Sequence, residues 1–448
     1  MMINSYYRKK ALITSISVFL PVLIFLVLLR FIPYSSLSDF ISHPYSTVYY
    51  DREGKVLQIT SLADGVRREF TPLDEIPPDL VTAFITAEDK RFYFHHGVDY
   101  FSATRALFQN IIGKRRVSGA STITMQLARL INPSPRRTWT AKIKDIAVAY
   151  LLEIRLTKKD ILELYLNNLP FGYNVEGLTS ASRFYYGTEL MALTKGQMCC
   201  LSVIPRRPAS YNPFDNPENC AEAAFQIYTT AFKKSLPKTE IALSSDSSNE
   251  LKEYLLKSAQ ESKRYEWPFL MPHFIRFVEK KIKPGTNKVT LTARSNLQKF
   301  VEFKINEALK SSSSSRIQNA AILVIDNKTA DILSWAGSND WFDEEHGGQI
   351  DGVLVPNQPG SSMKPFLYAL ALEPKNSDGE PLFTPAQVLP DIPMEFGSSN
   401  LYIPLNFNNR FNGPVLFRTS LASSLNVPAV YILSKIGVDN YLEFRSEE

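Results

Sequence analysis

Ala87-Glu88-Asp89-Lys90-Arg91-Phe92-Tyr93-Phe94-His95-His96-Gly97-Val98-Asp99 sets acids, bases and histidines among aromatic rings. Read alone, an adjacent Glu-Asp is most often the charged end of a helix beside a satisfied histidine. A second stretch changes the balance: Lys114-Arg115-Arg116-Val117-Ser118-Gly119-Ala120-Ser121-Thr122-Ile123-Thr124-Met125-Gln126-Leu127-Ala128-Arg129. Glycine, small hydroxyls and backbone N–H groups ahead of a helix suit an anion, and the flanking cations add charge. The bland alternative is a basic loop with an N-capping hydroxyl.

The N-terminus narrows the choice. Arg8, Lys9 and Lys10 precede an apolar run from Ala11 to Leu29, which Arg30 closes. At about 1.5 Å per residue the run reaches about 28 Å, close to the hydrocarbon thickness of a bilayer. Thr14, Ser15, Ser17 and Pro21 weaken it, yet no charge falls inside. A cleaved signal peptide is the competing reading, but the run is long for one and no clear small-x-small cleavage site follows Arg30. An uncleaved single-pass anchor is expected over 11–30. Residues 1–10 then lie in the cytoplasm and the rest lies outside, where ATP and NAD are not expected. Anchor, carboxylates and anion-suited loop together point to chemistry on a lipid-linked phosphate.

Composition excludes more than it selects. The 448 residues carry 50 Lys+Arg against 45 Asp+Glu, and a net charge of +5 is too mild to argue for nucleic acid. Charged residues at 21% with 12% aromatics rule out a mostly disordered chain. Cys199, Cys200 and Cys220 make neither a disulfide framework nor a metal-ligand spacing, and no HExxH occurs.

Along the chain, residues from Pro44 to Phe70 read as short strands or loops turning at Asp51–Gly54 and Asp64–Gly65. Helical patterning runs from Leu80 to about Lys234. Ile143, Ile146, Ala147, Tyr150, Leu151 and Ile154 recur at helical spacing and predict a helix. Thr157 with Asp160 predicts a cap that restarts a helix through Leu166, with Gly172 expected to end it. Lys238–Glu250 reads as a linker or surface loop. Ala320–Asp326 and Ile332–Gly337 read as two strands joined by a turn.

The motifs then resemble a known family. Glu88-Asp89-x-x-Phe92-x-x-His95-x-Gly97-x-Asp99 is similar to the first signature of peptidoglycan glycosyltransferases. Gly119-Ala120-Ser121-Thr122-Ile123-Thr124-Met125-Gln126 is similar to the second, with Ala120 and Met125 in place of the usual glycine and glutamine. Leu152-Glu153, Thr157-Lys158-x-Asp160-Ile161-Leu162-Glu163-x-Tyr165-Leu166-Asn167 and Phe171-Gly172 resemble the third. Ala181-Ser182-Arg183-x-Tyr185-Tyr186-Gly187 with Pro205, Pro208, Tyr211 and Pro213 fits a later one. The wording of these motifs resembles the 1C branch of bifunctional penicillin-binding proteins.

That resemblance implies a helical, lysozyme-like pocket in which Glu88 is the general base for the acceptor sugar's 4-hydroxyl. It implies a leaving pyrophosphate met by Lys114, Arg115, Arg116 and Arg129, with Ser121, Thr122 and Gln126 as hydrogen-bonding partners and Asp89, Phe92 and His95 lining the substrate. Where the family commonly places a second catalytic glutamate ahead of Glu153, this chain has Asp145, a shorter carboxylate expected to assist.

Gln358-Pro359-Gly360-Ser361-Ser362-Met363-Lys364-Pro365-Phe366 contains a Ser-x-x-Lys, and on a helix Lys364 would sit beside the Ser361 hydroxyl. With Ser424-Leu425-Asn426 it resembles the first two motifs of penicillin-binding transpeptidases and serine β-lactamases. Ser361 would be the nucleophile, Lys364 its base, Ser424 a proton relay and Asn426 the peptide-orienting group. No Lys-Thr-Gly follows before Glu448, so transpeptidation is expected to fail for want of that strand.

The expected architecture is a membrane-anchored multidomain chain. A cytoplasmic tail over 1–10 and a transmembrane helix over 11–30 lead into a mainly α glycosyltransferase domain over 44–235. A linker over 236–290 precedes an incomplete α/β, β-lactamase-like transpeptidase domain over 291–448. The expected activity is polymerisation of lipid II at the outer face of the bacterial inner membrane, with the growing glycan strand, the membrane and other cell-wall synthesis proteins as partners and no nucleic acid. The resemblance allows a divalent cation, magnesium or manganese, without naming its ligands, and implies no organic cofactor. A lysozyme-type hydrolase and a non-catalytic cell-wall scaffold are the competing readings.

Overall fold

The computed structural model describes residues 30, 32–102, 104–105, 121–134, 138–232, 245–311, 317–374, 379–397 and 401–446. The expected span over 11–30 lies outside them apart from Arg30, and among the described residues no helix is long and apolar enough to cross a membrane. Two compact units make up the chain, Met1–Leu354 and Val355–Glu448.

In the first unit a short helix, α1 (Ser35–Ile41), precedes β1 (Val48–Tyr50) and β2 (Val56–Ile59), which pair antiparallel. Asp51 closes the turn between them: its Oδ1 accepts from the N–H groups of Glu53 and Lys55, both at 2.9 Å. After β3 (Arg67–Arg68) comes α2 (Pro78–Glu88), opened by a proline whose missing N–H costs nothing in the first turn. Next are α3 (Ile123–Ile131), α4 (Trp139–Arg155) and α5 (Lys158–Asn168). Threonines 122, 138 and 157 cap them, and the Thr157–Asp160 capping box forms as expected.

Helix α5 ends at Asn168, before the position expected from Gly172. Pro170 has no N–H to continue the ladder and restricts Leu169 to an extended conformation. Gly172 (φ 86°) serves the turn from β4 (Pro170–Gly172) to β5 (Val175–Glu176), which Tyr173 and Asn174 complete at positive φ. Strand β5 joins β3 and β4 in a small sheet. Helices α6 (Leu178–Tyr186), α7 (Lys195–Val203), α8 (Pro217–Ala231) and α9 (Ser245–Gln260) finish the helical body. Its core joins Leu80, Phe84, Leu127, Leu152, Tyr165 and Leu201.

Helix α4 forms where the spacing from Ile143 predicts it; its buried residues are Asp145, Ala149 and Leu152, while Ile143 is exposed. Hydropathy could not show that the inward face is held by an ion pair and a close backbone approach. The polar stretch read as a linker passes into α9, whose Leu255 and Ala259 are fully buried in the helical core. The division between the two compact units falls after Leu354. Strand β6 (Lys288–Thr290) lies parallel to β1, so early and late segments of the first unit share one sheet. Helix α10 (Pro272–Glu279) and α11 (Ser295–Ser311) pack beside the hairpin β7 (Ile322–Ile325) and β8 (Ile332–Ala336), which falls where the two strands were expected. There Trp335 stacks on Phe274 with centroids 5.3 Å apart.

In the second unit α12 (Lys364–Leu370) packs with the antiparallel pair β9 (Val388–Asp391) and β10 (Gly413–Leu416) and with α13 (Phe417–Ala422), α14 (Asn426–Ile436) and α15 (Val438–Ser446). Tyr368, Phe383, Phe417 and Ile432 form its core.

Candidate active site

Glu88 is the last residue of α2, where the chain leaves helical geometry. Its side chain is only 9% exposed. Gln126, one turn into α3, donates from Nε2 to Glu88 Oε2 at 2.7 Å. The hydroxyl of Tyr165 on α5 donates to Gln126 Oε1 at 3.0 Å, which fixes which way that amide faces. The other carboxylate oxygen, Oε1, is shut from solvent and has no hydrogen-bond partner, while Arg206 Nε stands 3.8 Å away. Burial pushes Glu88 above the ordinary glutamate range; the Gln126 hydrogen bond and the Arg206 charge oppose this, and Asp89 adds to it. Burial, with the charges of Glu88 and Asp89, also pushes the Tyr165 hydroxyl up, so it stays a donor.

Asp89 faces the other way and ties the pocket together. It accepts from His95 Nε2 at 2.9 and 3.1 Å and from the Ile123 N–H at 3.1 Å, which joins the end of α2 to the start of α3. An ionised carboxylate only accepts, so His95 carries its proton on Nε2. Thr122, the α3 cap, accepts from the Met125 N–H and donates to the Gly97 carbonyl at 2.5 Å. Phe92, expected at the substrate, is fully buried with the Lys158 ammonium 4.4 Å from its ring centroid. Asp89 and Thr122 thus hold the loop from within, while His95 Nδ1 is buried without a hydrogen-bond partner. Ser121 is partly exposed ahead of α3, and Lys114, Arg115 and Arg116 lie outside the described residues.

Arg129 and Asp145 meet each other. Nε and one terminal nitrogen of Arg129 donate to Asp145 Oδ2 at 3.1 and 2.6 Å. Glu153 is committed as well, accepting from Thr124 Oγ1 and Lys158 Nζ, both at 2.7 Å. Among the described residues no group of three or more His, Cys, Asp or Glu could hold a metal ion.

Gly97 is where the loop touches α4. Its φ is 86°, and a methyl group there would meet the Ala149 backbone carbon and oxygen at 3.2 Å. Gly97→Ala should therefore lower stability by about 1–3 kcal/mol, seen as a lower melting temperature. An unchanged melt would mean the loop moves aside freely.

The second unit holds the other constellation. Lys364 Nζ donates to the Ser424 carbonyl at 2.5 Å, to Asn426 Oδ1 at 2.6 Å and to Ser424 Oγ at 3.3 Å. Ser424 sits at φ 51°, a costly conformation for a non-glycine residue. Among the described residues no hydrogen bond joins Lys364 to Ser361, which lies exposed in the 3-10 turn Gly360–Met363. The ammonium has found its acceptors across the fold rather than along its own helix. Burial lowers the Lys364 pKa.

Sequence reading missed two participants. Tyr165 stood inside a quoted motif without a role, and Arg206 follows Pro205 directly but belonged to no motif. Nothing in their spacing points to Glu88.

A transglycosylase family model matches residues 53–231, the stretch that contains Glu88, Gln126, Tyr165 and Arg206. The helical body is thus a transglycosylase domain. The chain is 34% identical over 375 residues to penicillin-binding protein 1C of Escherichia coli, an overlap covering 84% of this chain and 46% of that protein. It is 30% identical over 387 residues to penicillin-binding protein 1F of Bacillus subtilis, covering 83% of this chain and 51% of that one. A crystal structure of penicillin-binding protein 1A from Haemophilus influenzae aligns with a TM-score of 0.44 at 16% identity, over 90% of this chain and 63% of that chain. The chain belongs to the class A penicillin-binding proteins and is 1C-like. It spans about half the length of these two curated relatives.

Proposed function

We propose that this chain is a peptidoglycan glycosyltransferase that polymerises lipid II into glycan strands. The observation that carries the reading is the state of Glu88: buried, with Oε2 clamped by Gln126 and Oε1 unspent, inside a transglycosylase domain. In the reaction the 4-hydroxyl oxygen of one sugar attacks the anomeric carbon of the other. Its proton passes to Glu88, and the bond to the lipid pyrophosphate breaks with its electron pair leaving on the phosphate oxygen. Lys114, Arg115, Arg116 and Ser121 receive that charge in this reading. Asp145 assists through Arg129, which it orients, and a divalent cation, if bound, would share the pyrophosphate charge.

The same reading sets the chain on the outer face of the bacterial inner membrane, held by the apolar run 11–30, with lipid II and the growing strand as partners. Exposed Phe94, Phe101, Trp139 and Ile143 support work against a lipid face. Purified protein given lipid-linked disaccharide precursor should yield polymer. None, with and without divalent metal, would overturn the proposal.

For the second unit we propose weak or absent acylation, since Lys364 is engaged by Ser424 and Asn426 and, among the described residues, makes no hydrogen bond to Ser361. A fluorescent penicillin should leave Ser361 essentially unlabelled; strong labelling there sinks this reading.

A further inference from the structure

We propose that Arg206 is a positioning residue for Glu88, a counter-charge that keeps the buried carboxylate ionised without occupying the oxygen that must take the proton. The inference rests on the reading of Glu88 as general base. Three distances carry it. Gln126 holds Oε2 at 2.7 Å and is itself held by Tyr165 at 3.0 Å, so one oxygen is pinned by a neutral amide. Arg206 Nε stands 3.8 Å from Oε1, too far for a hydrogen bond and close enough for Coulomb attraction. Glu88 Oε1, buried and unbonded, therefore keeps both lone pairs for an incoming hydroxyl.

The other charged or titratable groups acting on Glu88 are Asp89 beside it, which disfavours ionisation, and the Tyr165 hydroxyl, which stays neutral. Among the described residues Arg206 is the cation opposing both burial and Asp89. Its short 3-10 turn, Ile204–Arg206, starts directly where α7 ends, so the backbone under it is tied to the helical core. The side chain itself is 43% exposed and half in water. Its effect should accordingly be moderate rather than absolute.

The test is the pH profile of glycan polymerisation by the full chain. In Arg206→Met the acidic limb of kcat/KM should move to higher pH, because removing the cation favours the protonated, inactive carboxyl. Activity below neutral pH should fall about three- to tenfold, while the alkaline plateau stays within about twofold of the parent. Arg206→Lys, which keeps the charge, should restore most of the limb. A KM that rises equally at every pH, with the limb unmoved, would mean that Arg206 binds substrate and would overturn the proposal. So would a limb that stays put in both variants while their melting temperatures match the parent. Glu88→Gln separates the two levels. If it retains activity, the base assignment has failed; if it is inactive while Arg206→Met keeps the parental limb, only this inference has.

Discussion

Glu88→Gln should lower polymer formation by about 10²–10⁴-fold, the usual contribution of a general base, with the residual rate coming from positioning and phosphate contacts. The substitution tests chemistry rather than folding. Glutamine has the same shape, its carbonyl can still accept from Gln126, and it removes a charge that burial disfavours. The sign of the stability effect follows from the raised pKa. Folding favours protonated Glu88, so that contribution is fully present below the ordinary glutamate value. It is lost as pH rises through the raised folded value. Near pH 7 and above, the variant should melt no lower than the parent while losing activity. A melt that drops in parallel with the rate would show that Glu88 is structural. In the parent, the acidic limb of kcat/KM should lie above the ordinary glutamate range, as the burial of the carboxyl requires.

Asp89→Ala should have the largest effect on stability. Asp89 and His95 side chains are 4% and 6% exposed, and the carboxylate also takes the Ile123 N–H. Truncation leaves a buried imidazole and a buried backbone donor unmatched, at a cost of about 3–5 kcal/mol. Thermal melting should show this directly, and activity should fall with it because the α2–α3 junction carries both Glu88 and Gln126. Asp89→Asn, which can still accept through its carbonyl oxygen, should recover part of the loss. Full stability in Asp89→Ala would mean that the junction is held by packing alone.

Much of the scaffold was legible because it depends on neighbours in sequence. The Thr157–Asp160 capping box, the turn closed by Asp51 and the hairpin of β7 and β8 all use contacts only a few residues apart. Local chemistry decides such features, so a string of letters contains them. The buried face of α4 was not legible, because its inward side pairs Asp145 with Arg129 and sets Ala149 against Gly97. Apolar periodicity marks a face that water rejects, but not one that the fold requires for a polar partner.

The candidate site divides the same way. Sequence by itself determined the transglycosylase class and brought Glu88 to notice, through ordered motifs running from Glu88 to Pro213. It also brought Ser361, Lys364, Ser424 and Asn426 to notice, though the fold decided that Lys364 bonds across to Ser424 and Asn426. Only the tertiary structure could set Gln126 and Tyr165 in line behind one oxygen of Glu88 and Arg206 beside the other. Those side chains come from separate elements, and no periodicity or spacing records a meeting between them. The physical reason is range: caps and turns are closed by adjacent backbone, whereas the ionisation of a buried acid depends on whatever the whole core brings to it.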